Sequence, residues 1–304
     1  MTKIKNKIFD VIVIGGSYSG LSAALALGRF CRDILILDHN FPTNRSSKNT
    51  QNFLTQDGAE RKKLVLTTKA QILKYPGITF LTDFAIEGER TADGFLIKTE
   101  KGDSFTSKKL IFATGVQDMI PEIQGFKECW GTSVIHCPYC HGYELRNLKT
   151  VIFGSSEFAF NTAALIHTLT SDLTIVTKSL SDFTDVQLEN LRHYNIRVFE
   201  STVTEIQHYQ GRMNKIKLKN KNVLDAQVLY TSLPFSQSSK IPQQLGCSIT
   251  DAGLISINHE QQTTISGVYA CGDNSSIMRS VTRAVYTGSL AGAMVNQELS
   301  KEST

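Results

Sequence analysis

The segment "FDVIVIGGSYSGLSAALALGRFCRDILILDHN" joins an apolar strand, a glycine turn, a helix and a second apolar strand, and it constrains the fold more than any other stretch of the chain. Its pattern predicts a strand at Ile8–Ile14, a helix from about Leu21 to Phe30 and a strand at Ile34–Leu37, which is one βαβ unit. Gly15 permits the tight turn and Gly20 lets the helix pack close to the strand. The helix N-terminus then points unpaired N–H groups at a pyrophosphate. Asp38 closes the second strand, 23 positions after Gly15, where a carboxylate accepts hydrogen bonds from a ribose diol. Ser17 stands where the middle glycine of the fingerprint is usual; its hydroxymethyl group is small and can donate to phosphate. The plan recurs in "TVIFGSSEFAFNTAALIHTLTSDLTIVTKS". Here Gly154 follows a strand, Ala159, Ala163 and Ile166 share one helix face, and a second strand runs from Leu173 to Thr177. Ser156 and Ala159 take the middle and last glycine positions. No acid closes this second strand. Lys178 follows it instead, which favours a 2'-phosphate and hence NADPH over NADH. The alternative for this second unit is an ordinary crossover with no ligand.

At 304 residues the chain suits two domains of ordinary size. Apolar content of 41% and charged content of 20% are those of a globular protein and exclude a fibrous or wholly disordered one. The net charge is +4, and the basic run "KIKLKNKN" at Lys215 to Asn222 reads as a solvated hairpin, so nucleic acid is not an expected partner. The opening "MTKIKNKIFDVIVIGG" reads as a first strand rather than a secretory signal, and no apolar run reaches the roughly 18 residues of a membrane span. The expectation is a cytoplasmic protein with no membrane partner.

The third constraint is "VIHCPYCHGYEL". Cys-x-x-Cys-His serves c-type haem attachment, Cys-x-x-Cys is half of a zinc site, and Cys-x-x-Cys alone is a redox pair. Haem attachment follows export, which the N-terminus does not predict. Zinc needs about four ligands, and no second Cys-x-x-Cys or His-x-x-x-His exists, so no metal site is expected. The redox pair remains, with Cys137 and Cys140 as its sulfurs. Pro138 suits a first helical turn, and a helix starting there lowers the thiol pKa values by bringing N–H groups to the sulfurs. His141 is placed to move the proton. Cys271, Cys129, Cys31 and Cys247 read as packing or isolated thiols, and His136 as lining the substrate entrance.

"KKLIFATGV" (Lys108 to Val116) and "ISGVYACGDNSS" (Ile265 to Ser276) each end a β-rich run in small residues that let backbone approach a planar ligand. The order GGSYSG, ATG, CPYC, GSSEFA, CGD resembles the low-molecular-weight thioredoxin reductase group of flavin-dependent pyridine-nucleotide disulfide oxidoreductases, over nearly the whole chain. The resemblance implies an α/β fold of two Rossmann-like, three-layer ββα nucleotide-binding domains, with an NAD(P)H domain inserted into an FAD domain. The expected bounds are 1–117 and 245–304 for FAD and 118–244 for NAD(P)H, with crossings near Val116 to Pro121 and within "SLPFSQSSKIPQQLG".

The same resemblance implies FAD contacts at Gly15, Ser17, Tyr18, Ser19 and Gly20, and at Asp38 and His39. Further along the chain it implies Asn44, Arg45 and Asn52, then Ala113, Thr114 and Gly115. Near the C-terminus it adds Gly272 and Asp273, and Arg279, Ser280 and Val281. NADPH, with NADH as the alternative, would meet Gly154, Ser155, Ser156 and Glu157, and then Thr177 and Lys178. Cys140 would lie nearest the flavin and Cys137 would attack the substrate.

Three sites depart from the family pattern: Lys178-Ser179 replaces an arginine pair, His141 an aspartate, and Gln51 a common histidine. "CPYCHGYE" and "NRSSKNTQNFLTQDG" look more like a subgroup that includes bacterial reductases and the fungal and bacterial dithiol oxidases of gliotoxin-like or holomycin-like metabolites. Three function classes follow. The first is an NAD(P)H-consuming disulfide reductase acting on a thioredoxin-like protein or a small disulfide, the second an oxygen-using dithiol oxidase, and the third a non-enzymatic flavin- or metal-binding protein. The family implies a homodimer.

Overall fold

The structure is a computed structural model that describes residues 7–42 and 47–302. The chain divides into two compact units, one built from the segments up to Gln117 and from Phe235 onward, the other spanning Asp118–Pro234. Parallel sheets with helical crossovers dominate both, giving the two Rossmann-like domains of the expected α/β fold. Among the described residues, no helix is long and apolar enough to cross a membrane.

The first unit opens with β1 (Ile8–Ile14), α1 (Tyr18–Gly28) and β2 (Ile34–Leu37). A short ribbon, β3 (Asn49–Thr50) with β4 (Ala59–Glu60), leads into α2 (Arg61–Ile72) and β5 (Ile78–Leu81). The meander β6 (Ala85–Thr91), β7 (Gly94–Thr99) and β8 (Ser104–Phe112) follows. The sheet runs β5-β2-β1-β8-β7-β6, and its parallel part is held by registers such as Ile14↔Leu37 and Ile14↔Phe112. All four residues of β2 are buried, as are Val11 to Ile14 of β1. That explains why these strands read as continuous apolar runs: a parallel strand covered on both faces gains about 1.5–3 kcal/mol for each large apolar side chain it buries.

The helix begins three residues earlier than the sequence predicts and ends two earlier. Ser17 is extended and opens the first turn at Tyr18, and Cys31 has a positive φ of 56°, so the chain has left the helix before it. Gly15 has φ 109°, and a Cβ there would run into the Ala113 carbonyl, so the turn requires glycine.

β9 (Val116–Asp118) carries the chain out of this unit. The second unit contains α3 (Phe126–Cys129), β10 (Val134–Ile135), α4 (Pro138–His141), β11 (Thr150–Gly154), α5 (Ser156–Ile166), β12 (Leu173–Thr177), α6 (Asp185–His193) and β13 (Arg197–Glu200). β14 (Val203–Tyr209), β15 (Arg212–Leu218), β16 (Val223–Asp225) and β17 (Val228–Thr231) complete it. Its parallel sheet has the order β10-β17-β11-β12-β13, and β14-β15-β16 form a separate antiparallel sheet. The basic run lies on the β15–β16 hairpin.

The return crossing falls at Pro234–Phe235, ten residues before the expected boundary. β18 (Phe235–Gln237) pairs with β9, and α7 (Ile241–Gln244) sends Ile241 into the core of the first unit. β19 (Val268–Ala270) then joins β8, and α8 (Val281–Glu302) packs along α1. The helices approach so closely that a Cβ on Gly288 would strike the Ser19 backbone. At its far end α8 is tied to the sheet by buried Lys109, whose ammonium donates to Glu298 and Glu302 at 2.8 and 2.5 Å. Burial alone would lower the pKa of Lys109, but the two carboxylates outweigh it and hold the pKa above its ordinary value.

Candidate active site

Two separate constellations carry chemistry, one in each unit. In the first, β1, β2, β8 and β19 all end at the same edge, as Ile14↔Leu37, Ile14↔Phe112 and Ala270↔Phe112 show. This carboxyl edge is where open parallel sheets bind nucleotides. It gathers Gly15 and Ser17 to Gly20 after β1, Asp38 and His39 after β2, Ala113 to Gly115 after β8, and Gly272 and Asp273 after β19. Ser17 opens α1 without a side-chain cap bond, and α1 has no acid in its first turn, so its leading amides stay available to an anion.

Asp38 stands 3.9 Å from the Lys69 ammonium, which itself lies over the Phe80 ring at 4.2 Å. The His39 ring packs against Phe41 and Phe84. The Tyr18 hydroxyl pairs with Thr50 at 3.1 Å, buried. Asn52 adopts φ 54°, its amide donates to Asp57 at 2.7 Å, and its carbonyl accepts from Thr282. Asn44 and Arg45 lie outside the described residues.

The expected contacts at the start of α8 divide their work. Ser280 caps the helix by accepting from the Arg283 amide at 3.1 Å, Val281 begins it, and the Arg279 guanidinium lies 5.6 Å from the centre of the Phe235 ring. Three buried polar atoms at this edge have no hydrogen-bond partner among the described residues: Asp83 Oδ2, just after β5, Asn274 Oδ1, just after β19, and Gln237 Oε1, whose amide nitrogen donates to the Asn274 carbonyl. Asp83 is held in place because its amide donates to the Asp38 carbonyl at 3.2 Å. The Asn274 amide group donates to the Phe112 carbonyl and to Thr114 Oγ1. Orphaned acceptors cost about 1–3 kcal/mol each when nothing meets them. Uncapped amides, a ribose-type carboxylate and spare buried acceptors together fit FAD. Asp83, Lys69 and Asn274 escape a reading of motifs. An acid just after a strand as apolar as "ITFL" was the available signal for Asp83.

In the second unit Cys137 and Cys140 form a disulfide with Cα atoms 5.3 Å apart. Cys137 is the N-cap of α4 and Pro138 its first residue, as the fixed φ of proline favours. The helix is a single turn, closed by Gly142 N donating to the Pro138 carbonyl at 2.7 Å, so any dipole it adds at the sulfurs is small. His141 follows Cys137 by four residues and therefore lies one turn above it on the same face. Its imidazole reaches the Cys137 carbonyl, and its Nδ1 is buried without a partner among the described residues. Burial pushes the His141 pKa below the ordinary imidazole value, while the Cys137 carbonyl and the charge of Glu144 pull against that fall. Glu144 also acts on buried Tyr230, whose phenol is pushed up to about 12 chiefly by burial. His136 stacks on Trp130 at 5.8 Å and Trp130 on Phe126 at 5.9 Å, and His136 directly precedes Cys137 in the chain.

The remaining thiols are set apart. Cys129 and Cys271 are fully buried, and burial raises both pKa values, that of Cys271 to about 12. Cys247 is buried against Thr263, and Cys31 is exposed on the surface of the first unit. Only the Cys137–Cys140 pair combines a disulfide with a titratable neighbour among the described residues.

The nucleotide-type residues of the second unit stand at its own sheet edge. Gly154 ends β11, Ser155 caps α5, Ser156 and Glu157 open that helix, Thr177 ends β12 and Lys178 is exposed just beyond.

A family profile described as pyridine nucleotide-disulphide oxidoreductase matches residues 9–288. The chain is 27% identical to the thioredoxin reductase tcpT of Claviceps purpurea, covering 97% of this chain and 95% of that one. Its fold is similar to that of an oxidoreductase from Agrobacterium tumefaciens, with TM-score 0.90 and 32% identity over 97% and 99% of the two chains. It is likewise similar to HlmI, with TM-score 0.91 and 28% identity over 99% and 95%.

Proposed function

This chain belongs to the pyridine nucleotide-disulphide oxidoreductase family, as a thioredoxin reductase-like enzyme, and from that premise we propose that its Cys137–Cys140 pair carries two electrons between FAD and a disulfide or dithiol substrate. The observation that carries the reading is a disulfide with a buried imidazole one turn above it, whose Nδ1 lacks a partner among the described residues. An unpaired buried nitrogen costs stability, and a role in proton transfer gives that cost a purpose.

When bound, FAD supplies a two-electron store; Asp38 and Asp83, the leading amides of α1 and the turn at Gly272 and Asp273 would hold it. The thiol chemistry belongs to the chain itself. In the oxidative direction, His141 takes the proton from an incoming substrate thiol, and the thiolate attacks Cys137 while Cys140 leaves as thiolate. The second substrate thiol then displaces Cys137, so the substrate gains one S–S bond as the enzyme loses one, and two protons remain with the enzyme. In the reductive direction the same steps run backward, and His141 returns the proton to the departing substrate sulfur. By family resemblance Cys137 faces the substrate and Cys140 the flavin.

Two net reactions share this exchange. One is reduction of a thioredoxin-like protein or small disulfide at the expense of NADPH or NADH. The other is oxidation of a small dithiol with dioxygen as final acceptor. The family implies a homodimer, which light scattering of the purified protein checks.

The test is thiol trapping. After brief anaerobic exposure of the holoenzyme to dithiothreitol, alkylation and mass mapping should find both Cys137 and Cys140 newly labelled. A protein that turns over a disulfide substrate while this pair stays oxidised would overturn the reading.

A further inference from the structure

We infer that the βαβ unit β11-α5-β12 is closed to a nicotinamide dinucleotide, so that electrons enter through the redox pair from a small dithiol. The inference rests on the role proposed for Cys137 and Cys140, and it starts from what the first-unit fingerprint has and this one lacks.

A dinucleotide needs unpaired helix amides for its pyrophosphate, open space between the ends of the two strands for its ribose, and donors for a 2'-phosphate. Part of each requirement is already taken up by the protein's own groups. The Ser155 hydroxyl accepts from the Phe158 amide at 3.3 Å, and Glu157 places a carboxylate in the first turn of α5. The helix therefore already holds the anion its dipole favours, and a pyrophosphate would meet that charge as a repulsion. Ser156, at the middle glycine position, is 2% exposed; its hydroxyl lies 3.3 Å from Thr177 Oγ1 and donates to the Ser179 carbonyl at 2.9 Å. That bond ties the start of α5 to the segment after β12, across the gap a ribose would enter.

Beyond β12 the Ser179 hydroxyl is taken by Ser181 at 2.9 Å and by the Asp182 carboxylate at 3.3 Å. Glu200 ends β13 in register with Thr177. Lys178 thus shares this edge with Glu157, Asp182 and Glu200, and the balance disfavours a polyanion. Phe158 adds a steric element, since its ring lies directly on Gly154.

The electron path then balances without nicotinamide. A substrate dithiol becomes a disulfide as the Cys137–Cys140 bond opens, and the two electrons and two protons pass to a two-electron acceptor. With dioxygen as that acceptor the sum is one dithiol and one dioxygen giving one disulfide and one hydrogen peroxide.

The FAD-loaded protein tests this. Calorimetry should find NADPH and NADH binding weaker than about 1 mM, the upper end of ordinary enzyme affinities. Anaerobic bleaching of the flavin by either nucleotide should be at least about a hundredfold slower than bleaching by dithiothreitol at equal concentration. Submillimolar binding of either nucleotide, with bleaching within about threefold of the dithiol rate, would overturn the inference. The triple variant Ser155→Gly, Ser156→Gly, Glu157→Asn should tighten nucleotide binding at least about tenfold, and no gain in a folded variant would show that these residues do not close the unit. A Cys137→Ser, Cys140→Ser double variant separates the two readings: if dithiothreitol bleaches its flavin as fast as the parent's, the proposed role of the pair fails, whatever the nucleotides do.

Discussion

The two βαβ units share a sequence plan and a topology, yet the first helix starts without a side-chain cap and the second starts with serines bonded to their own surroundings. α1 begins with a serine whose hydroxyl caps nothing; α5 begins with a serine that caps, a second that latches onto the next strand, and a glutamate that satisfies the dipole. The first unit ends its second strand in Asp38 and keeps buried acceptors that have no partner among the described residues, whereas the second follows its strand with Lys178 and has Asp182 and Glu200 on the neighbouring segments. The fingerprint therefore specifies where a helix N-terminus arrives. Whether that terminus receives a ligand depends on the hydrogen bonds its neighbours have already made. In the proposed reading, the second unit does its chemistry at the disulfide.

The largest expected effect separates the two units outright. Cys137→Ser and Cys140→Ser should each lower disulfide turnover at least about a thousandfold, as loss of a covalent participant does, while FAD content stays near that of the parent. Loss of FAD from either variant would break the separation. Next is His141→Gln, which should slow thiol exchange about a hundredfold. In the parent, exchange should fall with acidification, because a protonated imidazole cannot accept the thiol proton. Since burial lowers this pKa, the fall should centre below the ordinary value of about 6.5, and it should be absent from the variant. Exchange within about threefold of the parent at all pH values, a difference under roughly 0.7 kcal/mol, would leave His141 a structural role only.

How far the sequence revealed this arrangement can be argued from single residues. The βαβ units were legible because buried parallel strands read as unbroken apolar runs, and Gly15 because its turn admits no side chain. Tyr18 to Gly20 were not legible as helix, since small polar residues after a glycine turn fit a loop equally well. The early return at Phe235 was hidden because "SLPFSQSSKIPQQLG" has linker composition although Ile241 is a core residue. At the candidate site the cysteines and His141 were legible from spacing. The burial of His141 Nδ1 was not, because it depends on packing around α4. Lys69 and Asp83 meet Asp38 only through tertiary contacts, which no local pattern encodes.

Smaller effects sharpen the comparison. Asp38→Ala should weaken FAD retention about tenfold or more, in line with the loss of a hydrogen bond to a charged group, worth about 1.5–3 kcal/mol. Lys178→Ala, at the corresponding place in the second unit, should leave FAD retention unchanged; equilibrium dialysis of the flavin checks both. The smallest effect concerns the caps. Ser155→Ala removes a side-chain cap worth about 1 kcal/mol and should speed hydrogen exchange at the Phe158 amide about fivefold. Ser17→Ala removes no such bond and should change exchange in α1 by less than about twofold.

The measurement that bears most directly on the central claim, a flavin in the first unit working with a redox disulfide in the second, is an anaerobic reductive titration of the FAD-loaded protein. With one two-electron flavin and one two-electron disulfide, the parent should consume about four electrons per chain and the Cys137→Ser, Cys140→Ser variant about two. A parent that is fully reduced by about two electrons, equal to the variant, would contradict the account.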